Sequence, residues 1–155
     1  MMGLNDLLSP QGVIHKLKAR CKREALQAMA ETASRLVDKP AGEIMAAVLE
    51  REQLGSTGVG DGVAIPHAKI EGLRAITGVF ALIDKPVGFD ALDDQPVDLI
   101  FMLLAPANAN AAHLKALAKV SRMLRDHDVR ASLRGADSAE SLFAIAVAGK
   151  QDHAA

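Results

Sequence analysis

The chain has 155 residues, half of them apolar and 24% charged, with a net charge of −1 and a single cysteine. That length suits one domain with a real core, which typically buries roughly 68–70% of the surface its unfolded chain exposes, and the apolar share excludes a disordered chain. The charge balance argues against bulk binding to nucleic acid or anionic membrane; four Phe with no Trp or Tyr argue against stacking on single-stranded bases; and a lone Cys21 rules out an internal disulfide or a cysteine zinc cluster.

Met1 to Leu8 has no basic region followed by an apolar run, so no targeting segment is expected. Ser9-Pro10-Gln11-Gly12 is a turn signal. After it Val13, His15, Leu17 and Ala19 alternate with Ile14, Lys16, Lys18 and Arg20, which predicts a short half-exposed strand. The basic cluster Lys16 to Arg23 reads first as a lysine-protected sheet edge; a partner-docking patch is the sharper alternative. Arg20, Lys22 and Arg23 would favour a thiolate at Cys21, but an ordinary cysteine at a helix start is the weightier reading.

From Lys22 to Val37 the period changes, and Leu26, Met29, Ala33, Leu36 and Val37 share one helical face. Lys39-Pro40-Ala41-Gly42 breaks that helix. A second runs from Glu43 to Gln53 with Ile44, Ala47 and Val48 inward, and Gly55 falls where a left-handed cap is expected. Leu54 to Ala68 is a glycine-rich loop. Ile76 to Ile83 reads as a strand, Pro86 and the polar run Asp90 to Gln95 as a connection, and Val97 to Leu104 as a central strand buried on both faces. A third helix spans Ala109 to Leu124, with Leu114, Leu117, Val120 and Leu124 as its stripe. Val129 to Leu133 forms a short helix. Asp137 with Glu140 resembles a capping box ahead of a last helix carrying Leu142, Ile145 and Ala146. The longest uncharged stretch, Leu99 to Ala112, is too short to cross a membrane and is interrupted by Pro106. The reading is one soluble, cytoplasmic, layered α/β domain over residues 1–155, with an ordered core of about 4–149 and a frayed tail over 150–155.

His67 is the first candidate for chemistry. It follows Pro66 and closes the glycine loop, and a stiffly held imidazole with a free lone pair can attack phosphorus, bind metal or move protons; a satisfied surface histidine is the competing reading. The loop is not a Walker sequence, a dinucleotide fingerprint or an EF-hand. What survives is a loop whose amides, at Gly58 among others, approach an anion, with Ser56 and Thr57 as hydroxyl donors. His113 lies near the start of the third helix, where anions are favoured. Arg51, ending the second helix, is either a dipole-satisfying cation or a clamp on phosphate oxygens or a partner's carboxylate. His67 and His113 with Glu71 make a poor zinc site, so no metal is expected. His15, His127 and His153 read as surface or strand histidines.

The run from Arg51 through Leu54-Gly-Ser-Thr-Gly-Val-Gly-Asp-Gly-Val-Ala-Ile-Pro-His67 closely resembles the enzyme IIA domains of the mannitol/fructose/nitrogen-regulatory group in the bacterial phosphoenolpyruvate phosphotransferase system. Phe89-Asp-Ala-Leu-Asp-Asp-Gln-Pro-Val-Asp-Leu-Ile-Phe101 and His113-Leu-Lys-Ala-Leu-Ala-Lys-Val-Ser121 agree with it, and within the group the chain looks most like the nitrogen-regulatory type, which stands alone without an attached IIB or membrane IIC domain. One departure is Ala68, where the family commonly has glycine. The resemblance implies a three-layer α/β/α sandwich with a mixed sheet. It implies that His67 accepts a phosphoryl group from an HPr-like phosphocarrier, that His113 stabilises the phosphoryl oxygens, and that Arg51 lies near the site. No cofactor is needed if the donor is already a phosphohistidine. Phosphorylation would then add charge to a shallow surface expected to be rimmed by Val59, Val63 and Ile65, and would switch partner binding. Potassium transporters and sensor kinases are targets in the family. The alternatives are a sugar-specific IIA that passes the group to a IIB domain, a binding module without turnover and, more distantly, a metal hydrolase.

Overall fold

The run Val97–Pro106, apolar except for Asp98, forms β6, the strand around which the sheet is organised; every residue from Leu99 to Ala105 is buried. The computed structural model describes residues 3–149, so the tail expected to fray lies outside the described residues. Six strands form one mixed sheet in the order β1-β5-β6-β3-β2, with β4 also paired to β6. β5 (Thr77–Val87) runs antiparallel to β6, while β1 (Val13–Leu17), β3 (Val63–Ala64) and β4 (His67–Ile70) form parallel pairs, β1 with β5 and the other two with β6; β2 (Gly58–Gly60) turns back on β3. Parallel pairing needs both faces covered. One face packs on α2 (Lys22–Val37) and α3 (Ala41–Gln53). The other packs on α1 (Leu4–Leu7), α4 (Asn110–Arg125), α5 (His127–Arg134) and α6 (Ala139–Ala148). The expected α/β/α layering is thus present.

Several local expectations are corrected. The glycine-rich segment is not one loop: β2 and β3 fold back on each other inside it, and His67 opens β4. Strands this short carry no periodicity of their own, and β3 and β4 are fixed by pairing with distant β6. β1 stops at Leu17 rather than continuing to Arg20, because Lys16 sits at φ 55° in a register shift between Ile14 and Leu17. The strand expected to end at Ile83 continues to Val87 through a register irregularity, the setting that admits Pro86. α1 has no counterpart in the sequence reading. In α4 the buried stripe is His113, Ala116, Val120, Met123 and Leu124; Val120 and Leu124 are buried as expected and Leu117 packs against the core, but Leu114 is exposed and His113 takes the inward place in the first turns. The cap of α6 is Ser138, whose hydroxyl accepts from the Ser141 amide, so the pairing of Asp137 with Glu140 falls one residue short. Gly55 has φ 146°, not the left-handed cap geometry, and the cap of α3 is Leu54.

Two arginines fasten α5 to the rest of the fold. Arg130 is buried and donates to the Leu124 and Arg125 carbonyls, which satisfies the end of α4. Arg134 grips the Asp98 carboxylate with two nitrogens and also donates to the Asp61 carbonyl. The turn between β2 and β3 is pressed against that guanidinium: a Cβ on Gly62 (φ 76°) would lie 2.5 Å from an Arg134 nitrogen. Of the basic cluster, Arg20 pairs with Glu24 on the surface and Lys22 with the shielded Glu52, while Cys21 is exposed at the cap of α2.

Candidate functional site

β4 and α4 bring the two predicted histidines together. His67 opens β4 opposite Leu103, and its rigid approach comes from Pro66, whose carbonyl accepts the Leu103 amide. His113 lies in the first turns of α4. The ring centroids are 5.6 Å apart with planes at 73°.

The hydrogen bonding around His67 fixes its chemistry. Nδ1 lies 2.8 Å from the Ile65 carbonyl oxygen. A carbonyl only accepts, so Nδ1 carries the proton and Nε2 keeps its lone pair. His15 is the contrast, since its Nε2 donates to the Ala136 carbonyl and is thereby tied into the structure. His113 is 6% exposed, and its Nε2 is a buried polar atom with no hydrogen-bond partner. Such an atom costs stability unless something else uses it.

The surroundings of both rings favour the neutral form. Burial pushes the His67 pKa below the usual 6.5, with the Arg51 charge acting in the same direction against the Ile65 hydrogen bond and the Glu52 charge. Burial also lowers His113, helped by His67 and Lys69. The unfolded chain therefore binds more protons than the folded one once the pH drops below about 6.5. Their contribution to stability is complete above that pH and is lost as the pH falls toward the lowered values. Ring-proton NMR should give midpoints below 6.5 for both histidines, and the urea midpoint should fall on acidification in this range, less so in a His113→Asn variant. Titration of both rings at or above 6.5 would contradict this reading.

A groove of about 440 Å³ opens over the pair, walled by Ala47, Glu50, Arg51 and Leu54 from α3 and its end, by Lys69 of β4, and by Leu114 and Leu117 of α4. Arg51 also donates to the Gly55 carbonyl, 3.0 Å away, so it braces the turn it leads into. A second cleft of similar size lies between the end of α2 and residues 72–75, but it contains none of the predicted site residues.

Ser56, Thr57 and Gly58 do not line the groove. The Ser56 hydroxyl donates to the Phe89 carbonyl and accepts the Gly58 amide. The Thr57 amide and hydroxyl both donate to Glu52, which also pairs with Lys22 at 2.8 Å. An anion held by this loop would have to displace those bonds. The apolar rim also differs from the expected one: Val63 and Ile65 are buried in the core, and the exposed groove residues are Leu54 and Leu114, at 83% and 68%. Sequence reasoning missed Lys69, although its signal was available. It lies two residues beyond His67 on a strand, hence on the same face, and Asn110 at the start of α4 receives its ammonium. Ala68 between them points inward and packs in the α2–α3 core. Among the described residues no cluster of three potential metal ligands occurs, and no helix is long and apolar enough to cross a membrane.

Residues 6–147 match the family model described as phosphoenolpyruvate-dependent sugar phosphotransferase system, EIIA 2. The chain is 44% identical over 144 residues to the nitrogen regulatory protein of Bradyrhizobium diazoefficiens, covering 93% of this chain and 94% of that one. It is 41% identical over 119 residues to the fructose-specific EIIA component of Haloferax volcanii, covering 77% and 76%. Among solved structures, the nitrogen regulatory protein IIA-Ntr from Neisseria meningitidis superposes with a TM-score of 0.88 at 35% identity, covering 92% of this chain and 98% of that one.

Proposed function

The chain belongs to the EIIA 2 family of the phosphoenolpyruvate-dependent sugar phosphotransferase system, and we propose that it is a cytoplasmic regulatory phosphocarrier that takes a phosphoryl group on Nε2 of His67 from the phosphohistidine of an HPr-like protein. The observation that carries this reading is the hydrogen bond from Nδ1 to the Ile65 carbonyl. It leaves Nε2 as the nucleophile and supports the ring once it becomes positively charged on bonding to phosphorus.

Phosphoryl transfer asks little covalent chemistry of the protein beyond the nucleophile, so positioning and charge stabilisation dominate. His113 Nε2, buried and unpartnered, donates to a phosphoryl oxygen. Arg51 and Lys69 supply positive charge along the groove. A neutral His67 at pH 7 needs no deprotonation before attack. The test is to incubate the protein with a phosphorylated histidine carrier and map the adduct by mass spectrometry under alkaline conditions; a phosphoryl group on any residue other than His67 overturns the proposal.

His113→Ala should keep the fold and slow transfer by about 10²-fold, the scale of losing one oxyanion donor. His113→Gln, which retains a donor at the same reach, should recover part of that loss. Equal rates in all three proteins would remove His113 from the mechanism.

Once formed, the phosphoryl group carries close to two negative charges between exposed Leu54 and Leu114. A partner that buries those leucines meets a desolvation and repulsion cost, so phosphorylation state controls which proteins dock, with potassium transporters and sensor kinases as the expected targets. The likeness to a fructose-specific EIIA component supports a second reading, in which the group passes on to a sugar-specific IIB domain. Rapid transfer from the phosphorylated protein to a fructose IIB would favour it.

A further inference from the structure

A carrier-type donor brings its own protein surface, but the chemistry of the groove does not need one. The nucleophile is His67 Nε2 on β4. The donor toward phosphoryl oxygen is His113 Nε2 on α4, which is buried with no partner. The positive charges are Arg51 on α3 and Lys69 on β4. The nucleophile, the donor and the charges all sit on regular elements of one chain and are present before any partner arrives. The groove, about 440 Å³ and open to solvent, lies within the usual range for small-molecule sites, roughly 300–1,000 Å³. Its apolar wall of Leu54, Leu114 and Leu117 borders the cations, so a short acyl chain and a phosphate can lie side by side.

We infer that the same site takes a phosphoryl group directly from a small acyl phosphate, of which acetyl phosphate is the simplest, without a carrier protein. The inference rests on His67 being the acceptor. In the step, the Nε2 lone pair forms the N–P bond as the bond between phosphorus and the bridging acyl oxygen breaks. The carboxylate leaves with that electron pair. The Nδ1 proton stays on the ring, donated to the Ile65 carbonyl, so no proton moves. A neutral imidazole and a dianionic acyl phosphate become a phosphohistidine of net charge −1 and a carboxylate of charge −1. A carboxylate is a good leaving group and needs no acid to protonate it. A phosphate monoester would expel an alkoxide that does need one, so an acyl phosphate is the easier donor than a sugar phosphate or glycerol phosphate.

The test treats one protein preparation with excess acetyl phosphate, with glycerol phosphate and, separately, with a phosphorylated histidine carrier, followed by intact mass and peptide mapping. Intact mass separates phosphoryl from acetyl adducts. The expected result is a single phosphoryl group on His67 from acetyl phosphate, none from glycerol phosphate, none in His67→Asn, and an initial rate about 10²-fold lower in His113→Ala. Exposed His127 is the internal control. Labelling by the carrier but not by acetyl phosphate overturns this inference and leaves the carrier reading standing. Labelling by neither overturns both, and labelling of His127 as fast as His67 overturns the claim of a built site.

Discussion

His67→Asn should fold normally and accept no phosphoryl group. The substitution separates the two nitrogens of the ring. An asparagine amide reaches about as far as Nδ1, so it can keep the donation to the Ile65 carbonyl now made over 2.8 Å. It supplies nothing in place of Nε2. Stability should change by no more than about 1 kcal/mol, the net worth of one hydrogen bond. Phosphoryl incorporation should fall below detection, because no other histidine among the described residues combines a free Nε2 lone pair with flanking cations: His15 Nε2 is engaged by Ala136, His113 is buried, and His127 stands on the surface beside Asp128. Wild-type incorporation in this variant would mean that another group is the acceptor. His67→Ala, which also deletes the donor to Ile65, should lose the same activity and in addition loosen the start of β4, visible as faster amide exchange at Leu103, whose N–H reaches the Pro66 carbonyl.

Phe101→Ala should cost about 3–5 kcal/mol, the usual penalty for truncating a buried aromatic, and lower the melting temperature by roughly 10 °C for a domain of this size. Phe101 is fully buried at the centre of β6 and lies against Phe80 with ring centroids 5.6 Å apart. Its ring fills space that Gly78 leaves open: a Cβ on Gly78 would lie 2.5 Å from a Phe101 ring carbon and 3.1 Å from the Leu7 carbonyl oxygen. Gly78→Ala should accordingly destabilise by about 1–3 kcal/mol through overpacking. In a Phe101→Leu background that cost should shrink, since the atoms it collides with are gone; the non-additivity is the check. Additive effects in urea unfolding would show that the glycine serves only backbone freedom. Because β6 carries β4 on its far side through the Leu103 pairing, loss of β6 packing reaches His67, the proposed acceptor. Transfer activity and stability should therefore fall together here, whereas in His67→Asn they separate.

The elements read correctly from the chain were those whose signal is local and long. α2 was legible because its apolar residues recur with helical period over 16 residues, and β6 because a nearly continuous apolar run ending at a proline suits a strand covered on both faces. The position of His67 at the start of β4 was legible for a similar reason, since a proline before it and glycines ahead of it mark a side chain held at the mouth of an element.

What the amino-acid order left open depends on atoms far apart in the chain. The strands of the glycine-rich segment exist because β6, about 35 residues on, offers them backbone partners. Ser56 and Thr57 looked free to hold an anion, but Phe89 and Glu52 take their hydroxyls. Val63 and Ile65 looked like a rim, and the sheet buries them. In α4 the apolar pattern put Leu114 inward with Leu117, Val120 and Leu124, but in the first turns it is His113 that is buried and Leu114 that is exposed. The packing of α4 on the sheet turns His113 in toward His67 and leaves Leu114 on the groove wall. Local sequence determined which residues carry side chains suited to the proposed phosphoryl chemistry, because side-chain chemistry and short-range backbone preference travel with the residue. Only tertiary packing decided which of them meet, because burial and hydrogen-bond partners are properties of the assembled layers.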